Sequence, residues 1–402
     1  MKPPRVSRAA VEELARELPL PTREGITRAV RRWAAVKRRG GRVVVATGSG
    51  PNLHEGVTCL VAALVRAGLV DGVITSAAVV GHEMAGVLER VRRVEGRALG
   101  LAEEVLPADG RVEAALLPPE RLAAMARETP LDLDYHRRML ELPGPEIVKV
   151  AGNLAYPTGL WVERSARRLL PLSRAAGLPL EAVAGLGCHR LTMLGACAAR
   201  GVPCLVSTPQ LVGGGQVGLA VGESITLTER ATRLARLLAG AELIVESGLA
   251  LAQEIHDGPL ELYTGHGLWA RHEGMFTFSL RHTAVVRIDL DPRLARAVEL
   301  ERRRGAVARA IHQGRPKSQA TGIPFRMEMS GFARLPGALA LVGDLGVVWP
   351  VMAQRLARAM GVKLEFMCYK QGTALGEAIR DYIVREVSPL DYSQVVERLG
   401  RT

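Results

Sequence analysis

Apolar and polar positions alternate along this chain in blocks. Short aliphatic runs, each closed by a turn of small residues, are separated by stretches with a helical apolar period. The runs Val43–Ala46, Val70–Thr75, Val202–Ser207, Ala241–Glu246, Ala284–Asp289 and Leu339–Asp344 read as buried strands. Helical periodicity follows from about 55 to 67, 82 to 94, 161 to 175, 190 to 200, 227 to 239, 292 to 304, 350 to 360 and 373 to 386. Pro118-Pro119-Glu120 has the form of a helix start, and Thr226 or Thr228 that of an N-cap. The short runs at 98–102 and 362–366 read as strand or loop. Strands alternating with helices predict a mostly parallel, doubly wound α/β sheet of Rossmann-like type. Val11, Leu14, Leu18, Ile26, Val30 and Trp33 fall at helical spacing before the first strand. The expected organisation is a helical N-terminal arm over 1–40 and a single large nucleotide-binding domain over 41–402.

The first βαβ unit, Gly41–Met84, organises the rest. Its strands exit into Thr47-Gly48-Ser49-Gly50-Pro51-Asn52 and into Thr75-Ser76-Ala77-Ala78. Small-residue turns at the carboxyl ends of parallel strands are where open α/β sheets bind nucleotides. Gly48, Ser49, Gly50 and Asn52, with Thr75, Ser76 and Ala77, are therefore candidate cofactor contacts. The loop is neither GxGxxG nor a Walker A sequence. Asp289 and Asp344 end later strands, where an acidic group binds ribose hydroxyls and favours NAD. Asp291 has a different use open to it, as the cap of a helix that begins at Pro292.

The chain has 402 residues, 48% apolar and 4% aromatic, so its core is built from aliphatic side chains. The net charge is +12, carried almost wholly by Arg, since Lys stands only at 2, 37, 149, 317, 363 and 370. The Arg residues are scattered along helices with no nucleic-acid motif beside them, so no nucleic-acid partner is expected. The five Cys form no CxxC pair and have no zinc-ribbon spacing; with no secretory leader visible, reduced thiols and a cytoplasmic location are expected. No apolar run reaches the length of a membrane span.

The densest polar stretch is Glu246–Glu273, with Glu254, His256, Asp257, Glu261, His266 and His272. Histidine and buried carboxylates supply acid–base groups tunable toward neutral pH. Glu254 and His256, with His266 and His82, are the candidate catalytic residues. A metal site is the rival reading of the same residues, but HExxH is absent and no metal ligand is assigned. Cys188-His189 reads as a buried thiol beside a histidine rather than a nucleophile pair.

Several blocks, in order, resemble deoxyhypusine synthase. They are Asn52-Leu53, Val70-Asp71, Ile74-Thr75-Ser76-Ala77 with Glu83, Gly152-Asn153-Leu154 with Pro157, Val202-Pro203 with Ser207-Thr208-Pro209, Ile244–Gly248, and Gly343-Asp344 with Trp349-Pro350. The resemblance spans roughly 40–355 and implies NAD, with Glu83 and Asn153 as further cofactor contacts. That family's catalytic Lys is missing: Met327-Glu328-Met329-Ser330 stands near its place, and Ala252-Gln253-Glu254 replaces its Lys-His-His. The chain is also similar to the NAD-binding domain of LOR/SDH-type ornithine cyclodeaminases at Gly48–Gly56, including His54, at Val80-Gly81-His82-Glu83, and at Val286–Pro292. Together these imply an NAD-dependent enzyme that acts on a small amine or amino acid through hydride abstraction and an imine, not a true deoxyhypusine synthase. They also imply a homo-dimer or homo-tetramer. The alternatives are a metal-dependent hydrolase or lyase using the His/Glu cluster, and a non-catalytic NAD-binding regulatory protein.

Overall fold

The computed structural model describes residues 3–48, 50–149, 152–248 and 338–401, with 272–274, 282–289 and scattered others between 278 and 322. Six parallel strands form the main sheet. They are β1 (Val43–Thr47), β2 (Gly72–Thr75), β6 (Cys204–Val206), β7 (Leu243–Ser247), β8 (Ala284–Asp289) and β9 (Leu339–Val342). Their spatial order is β6-β2-β1-β7-β8-β9. Counted within this sheet, that is 3-2-1-4-5-6, the doubly wound dinucleotide-binding order. The registers Thr47↔Ser247, Thr75↔Val206 and Asp289↔Val342 bring the carboxyl ends of all six strands to one edge.

Successive strand residues point to opposite faces, and each face has its own core. Val43, Val45, Val73, Val245 and Val286 meet the helices Leu20–Arg38, Val57–Arg66 and Leu345–Met360. Val44, Ala46, Ile74, Ile244 and Val285 meet Leu234, Ala235 and Leu238 of the helix Leu227–Ala239. Strands buried on both faces read as unbroken aliphatic runs, which is why they were visible in the sequence. The N-terminal helices lie against the sheet. Thr22 Oγ1 donates to the Val342 carbonyl at 2.8 Å, and Trp33 Nε1 donates to that of Leu69 at 2.8 Å.

The chain departs from the expected pattern after β2. The helix there is Ala77–Ala85 and stops at Gly86. Residues expected to prolong it instead form β3 (Arg90–Glu95) of a second, antiparallel sheet of order β4-β3-β5, with β4 (Arg111–Ala115) and β5 (Glu146–Val148). β3 reads Arg-Val-Arg-Arg-Val-Glu, whose apolar positions fit a helix as well as a half-buried strand. The helices Leu180–Gly187 and Tyr392–Leu399 were also not expected, and 362–366 forms no strand.

Candidate functional site

The strand order reverses between β1 and β7, and the crevice at such a switch point is the ligand site of open α/β sheets. The turn leaving β1 passes through Gly48, which is buried, and Gly50, which has φ +64° and ψ −123°. An added Cβ on Gly50 would meet no atom within 4 Å, so only its backbone angle demands glycine. One short helix, Pro51–His54, precedes the αL residue Gly56 and the main helix Val57–Arg66. The helix expected from about 55 is thus Val57–Arg66, and the short helix before it takes up part of the expected turn. Gly56 is held to its type by φ +78° and by the Met367 carbonyl, which an added Cβ would approach to 2.2 Å.

Asn52 ties this turn across the switch point. Its Nδ2 donates to the Ser247 carbonyl at 3.2 Å, and Ser247 Oγ donates back to Asn52 Oδ1. Trp349 Nε1 completes the lock by donating to Ser247 Oγ at 2.9 Å. The carboxyl ends of β1, β2 and β6 also carry Thr47, Thr75 and Ser207. Their hydroxyl oxygens are buried and find no hydrogen-bond partner among the described residues. Asp289 ends β8 with its side chain mostly buried. Strand order, glycine turn, unpartnered hydroxyls and a terminal carboxylate together fit a dinucleotide.

The other predicted contacts divide. Ser76 accepts from Val79 N at 3.3 Å and caps the helix it precedes. Ala77 is buried against Gly214. Asp344 caps the helix Leu345–Met360 by accepting from Gly346 N at 2.8 Å. Glu83 is wholly buried, and its two oxygens accept from Met193 N at 2.8 Å and Leu194 N at 2.7 Å. It caps the N-terminus of the helix Met193–Arg200 from the side. Asn153 is exposed on the segment after Lys149. Ser49, Glu254, His256 and His266 lie outside the described residues. Glu246, at the start of the polar cluster, is buried in an ion pair with Arg287.

A second polar group gathers around Lys149 and Gly152, which follow β5. His54 and His82 come from the first helices after β1 and β2. One ring nitrogen of His54 donates to the Lys149 carbonyl, and one of His82 to that of Gly152. Burial, reinforced by the Lys149 charge, lowers His82 to about 4. Burial and the nearby Arg380 lower His54 as well. Both rings are thus neutral at neutral pH. Lys149 is buried and pairs with Glu113 Oε2 at 2.5 Å.

Glu89 lies beside it, and the sequence reading missed it. The Lys149 N–H donates to the Glu89 carbonyl at 3.1 Å, and Ala155 N donates to Glu89 Oε1 at 2.6 Å. Glu89 Oε2 is buried with no partner among the described residues. Burial raises this carboxyl to about 7, against the opposing pull of the Ala155 N–H and the Lys149 charge. A carboxyl that titrates near neutral pH is poised to take and return a proton. Two residues earlier Val87 has φ +76°, an angle a β-branched residue adopts only under strain. Its N–H donates to the His82 carbonyl at 2.7 Å, so one strained turn links His82 to Glu89. Gly86-Val87 was the sequence signal available for this turn. Among the described residues no three His, Cys, Asp or Glu side chains could hold a metal ion, and no helix is long and apolar enough to cross a membrane.

No protein-family model and no curated protein matches the sequence. Similar solved structures include an apo arginine dihydrolase, ArgZ, from the ornithine–ammonia cycle in cyanobacteria (13% identity, TM-score 0.36, covering 83% of this chain and 31% of that one). AgrE in ternary complex with ornithine and NAD+ is 14% identical, with TM-score 0.42, over 88% of this chain and 34% of that one. A conserved LOR/SDH protein from Methanococcus maripaludis S2 is 12% identical, with TM-score 0.38, over 89% of this chain and 71% of that one. The chain therefore spans about a third of the length of ArgZ and AgrE. These identities and scores are low, and the chemistry of the site rests on its own residues.

Proposed function

We propose that this chain is an NAD-dependent enzyme that oxidises an amine-bearing carbon of a small amine or amino acid. The observation that carries the reading is the 3-2-1-4-5-6 strand order with the Gly48–Gly50 turn at its switch point. In this reading the turn receives the diphosphate, and Thr47 and Thr75 turn their unpartnered hydroxyls to the ligand. Asp289 takes ribose hydroxyls, which favours NAD over its 2′-phosphorylated form. NAD, when bound, supplies the hydride acceptor.

The protein's part is proton handling and orientation. Loss of hydride from a carbon bearing an amine leaves an imine, and the amine gives up a proton. Glu89 is the residue poised near neutral pH to accept it. His82, lowered to about 4, holds the Gly152 carbonyl in place. Glu254, His256 and His266 are further acid–base candidates. Asn52 fixes the turn rather than the ligand, because Ser247 already occupies its amide.

Calorimetric titration of NAD+ tests the reading. The wild-type chain should bind, and Asp289→Ala should lose about tenfold in affinity, the size of one charge-assisted hydrogen-bond partner. Absence of any NAD+ binding by the wild-type protein would overturn it.

A further inference from the structure

The helix Ala374–Glu386 carries a buried cation with donors to spare. Arg380 is 8% exposed. Its Nη2 is held by Glu377 one turn away, while Nε and Nη1 are buried with no hydrogen-bond partner among the described residues. His54, 2% exposed, borders it; its Nδ1 is buried without a partner among the described residues, and in the neutral ring whose other nitrogen donates to Lys149 it is an acceptor rather than a donor. The helix meets this segment at two places: Gln371, just before it, donates to Glu55 Oε1 at 2.8 Å, and Asp381, next to Arg380, pairs with Arg90, next to Glu89. The backbone of Lys149 closes the group through its bond with His54.

Unpaired buried donors are costly, each by about 1–3 kcal/mol and more when charged. A folded protein keeps such groups where a ligand supplies the missing acceptors. An ionised carboxyl is suited to this, since it brings a negative charge and only acceptor atoms. The diphosphate of a dinucleotide is the competing anion, but it belongs at the glycine turn. His54 instead faces the Lys149 segment, where Glu89 lies.

We infer that Arg380, at the edge of the His54–Glu55 segment, forms the subsite that receives the carboxylate of an amino-acid substrate. The inference rests on the proposed function and narrows its substrate class from amines in general to amino acids. No sequence motif marks Arg380, and its helix lies more than 300 residues from His54 in the chain.

The test is a titration of the wild-type protein, with and without saturating NAD+. The ligands are the twenty common L-amino acids and L-ornithine, and for those that bind, the amines that lack only the carboxylate. The expected result is that at least one amino acid binds and its amine binds about tenfold more weakly or worse. Arg380→Gln should lose that preference and about tenfold in amino-acid affinity, while its NAD+ affinity stays within about threefold. Arg380→Lys should recover part of the loss, which a merely structural role would not produce. Thermal melts establish that each variant is folded, and the Lys variant carries the test should the Gln variant fail to fold.

The inference is overturned if no amino acid binds, if amine and amino acid bind alike, or if Arg380→Gln binds both as wild type does. It is also overturned if Arg380→Gln loses NAD+ instead. Failure of the wild-type protein to bind NAD+ counts against the proposed function alone, since the titrations without NAD+ still read the carboxylate preference.

Discussion

Glu89 and Glu83 are both buried carboxyls raised to about 7, yet their surroundings assign them different work. Both oxygens of Glu83 are occupied by backbone N–H groups, whereas Glu89 accepts a backbone N–H on Oε1 alone and, among the described residues, has only the Thr158 hydroxyl beside its carboxyl as a further donor. Glu89→Gln should therefore lower turnover about 100-fold or more with little effect on folding, the range expected for removal of a general base. Steady-state kinetics with any amine or amino acid found to be oxidised would check this, and unchanged turnover would remove Glu89 from the mechanism. Gly56 gives a prediction about stability. Its αL backbone and the Met367 carbonyl both oppose a side chain, so Gly56→Ala should cost about 2 kcal/mol or more. A urea midpoint that does not fall would show that the 56 and 367 segments separate easily.

At the scale of elements, the contrast between the two sheets explains what the sequence could show. The six parallel strands are buried on both faces and announce themselves as aliphatic runs; all six were expected, most within two residues of where they lie. The antiparallel sheet was not expected, because β3 and β5 present charged residues to solvent and their partners are set by long-range pairing. The same contrast holds for the site. The places of Gly48 and Asp289 at strand ends were legible, because the ends of buried strands are legible. Glu89, Lys149 and Arg380 were not, because tertiary packing joins them from three separate elements. Glu83 was expected from the resemblance and Asp344 from its place at a strand end, and no local signal distinguishes a cap of a distant or following helix from a ligand contact.

The helix that bears Arg380 is itself held at its far end. Arg121 donates to the carbonyls of Val384, Arg385 and Val387, each at 3.2 Å. A cation there satisfies the last carbonyls and opposes the negative end of the helix dipole. Arg121→Ala should destabilise the protein by about 1–3 kcal/mol, read as a lower urea midpoint. A midpoint equal to that of wild type would mean that packing alone, through Ile379, Ile383 and Val387, holds this helix.

For the whole molecule, its buried ionisable groups set how stability depends on pH. Burial raises Glu55, Glu83 and Glu89 from 4.5 to about 7, with the Asp344 charge adding to the effect at Glu55. A carboxyl raised on folding contributes its full stability below the unfolded value and loses it as pH rises through the folded value. The histidines act in the opposite sense. His82 falls from 6.5 to about 4, and burial also lowers His54 and His189. Each such ring costs stability in acid and ceases to do so as pH rises through 6.5. Between pH 4.5 and 6.5 the two sets oppose one another. At 6.5 the unfolded imidazoles are still half protonated, so the histidine contribution is complete only about one unit higher, beyond which only the carboxyls continue to change. Stability should therefore fall between pH 6.5 and 8, by about 1 kcal/mol net, about 2 lost at the three carboxyls and about 1 regained at the histidines. Urea midpoints at 25 °C across this range would measure the fall. Glu83→Gln, which removes one of the three titrations, should flatten it by more than half whatever its effect on stability at any one pH. A wild-type midpoint that is level or rises from pH 6.5 to 8 would mean that these carboxyls ionise near their ordinary values. Glu89 would then not be the group that takes the substrate's proton at neutral pH by virtue of its burial.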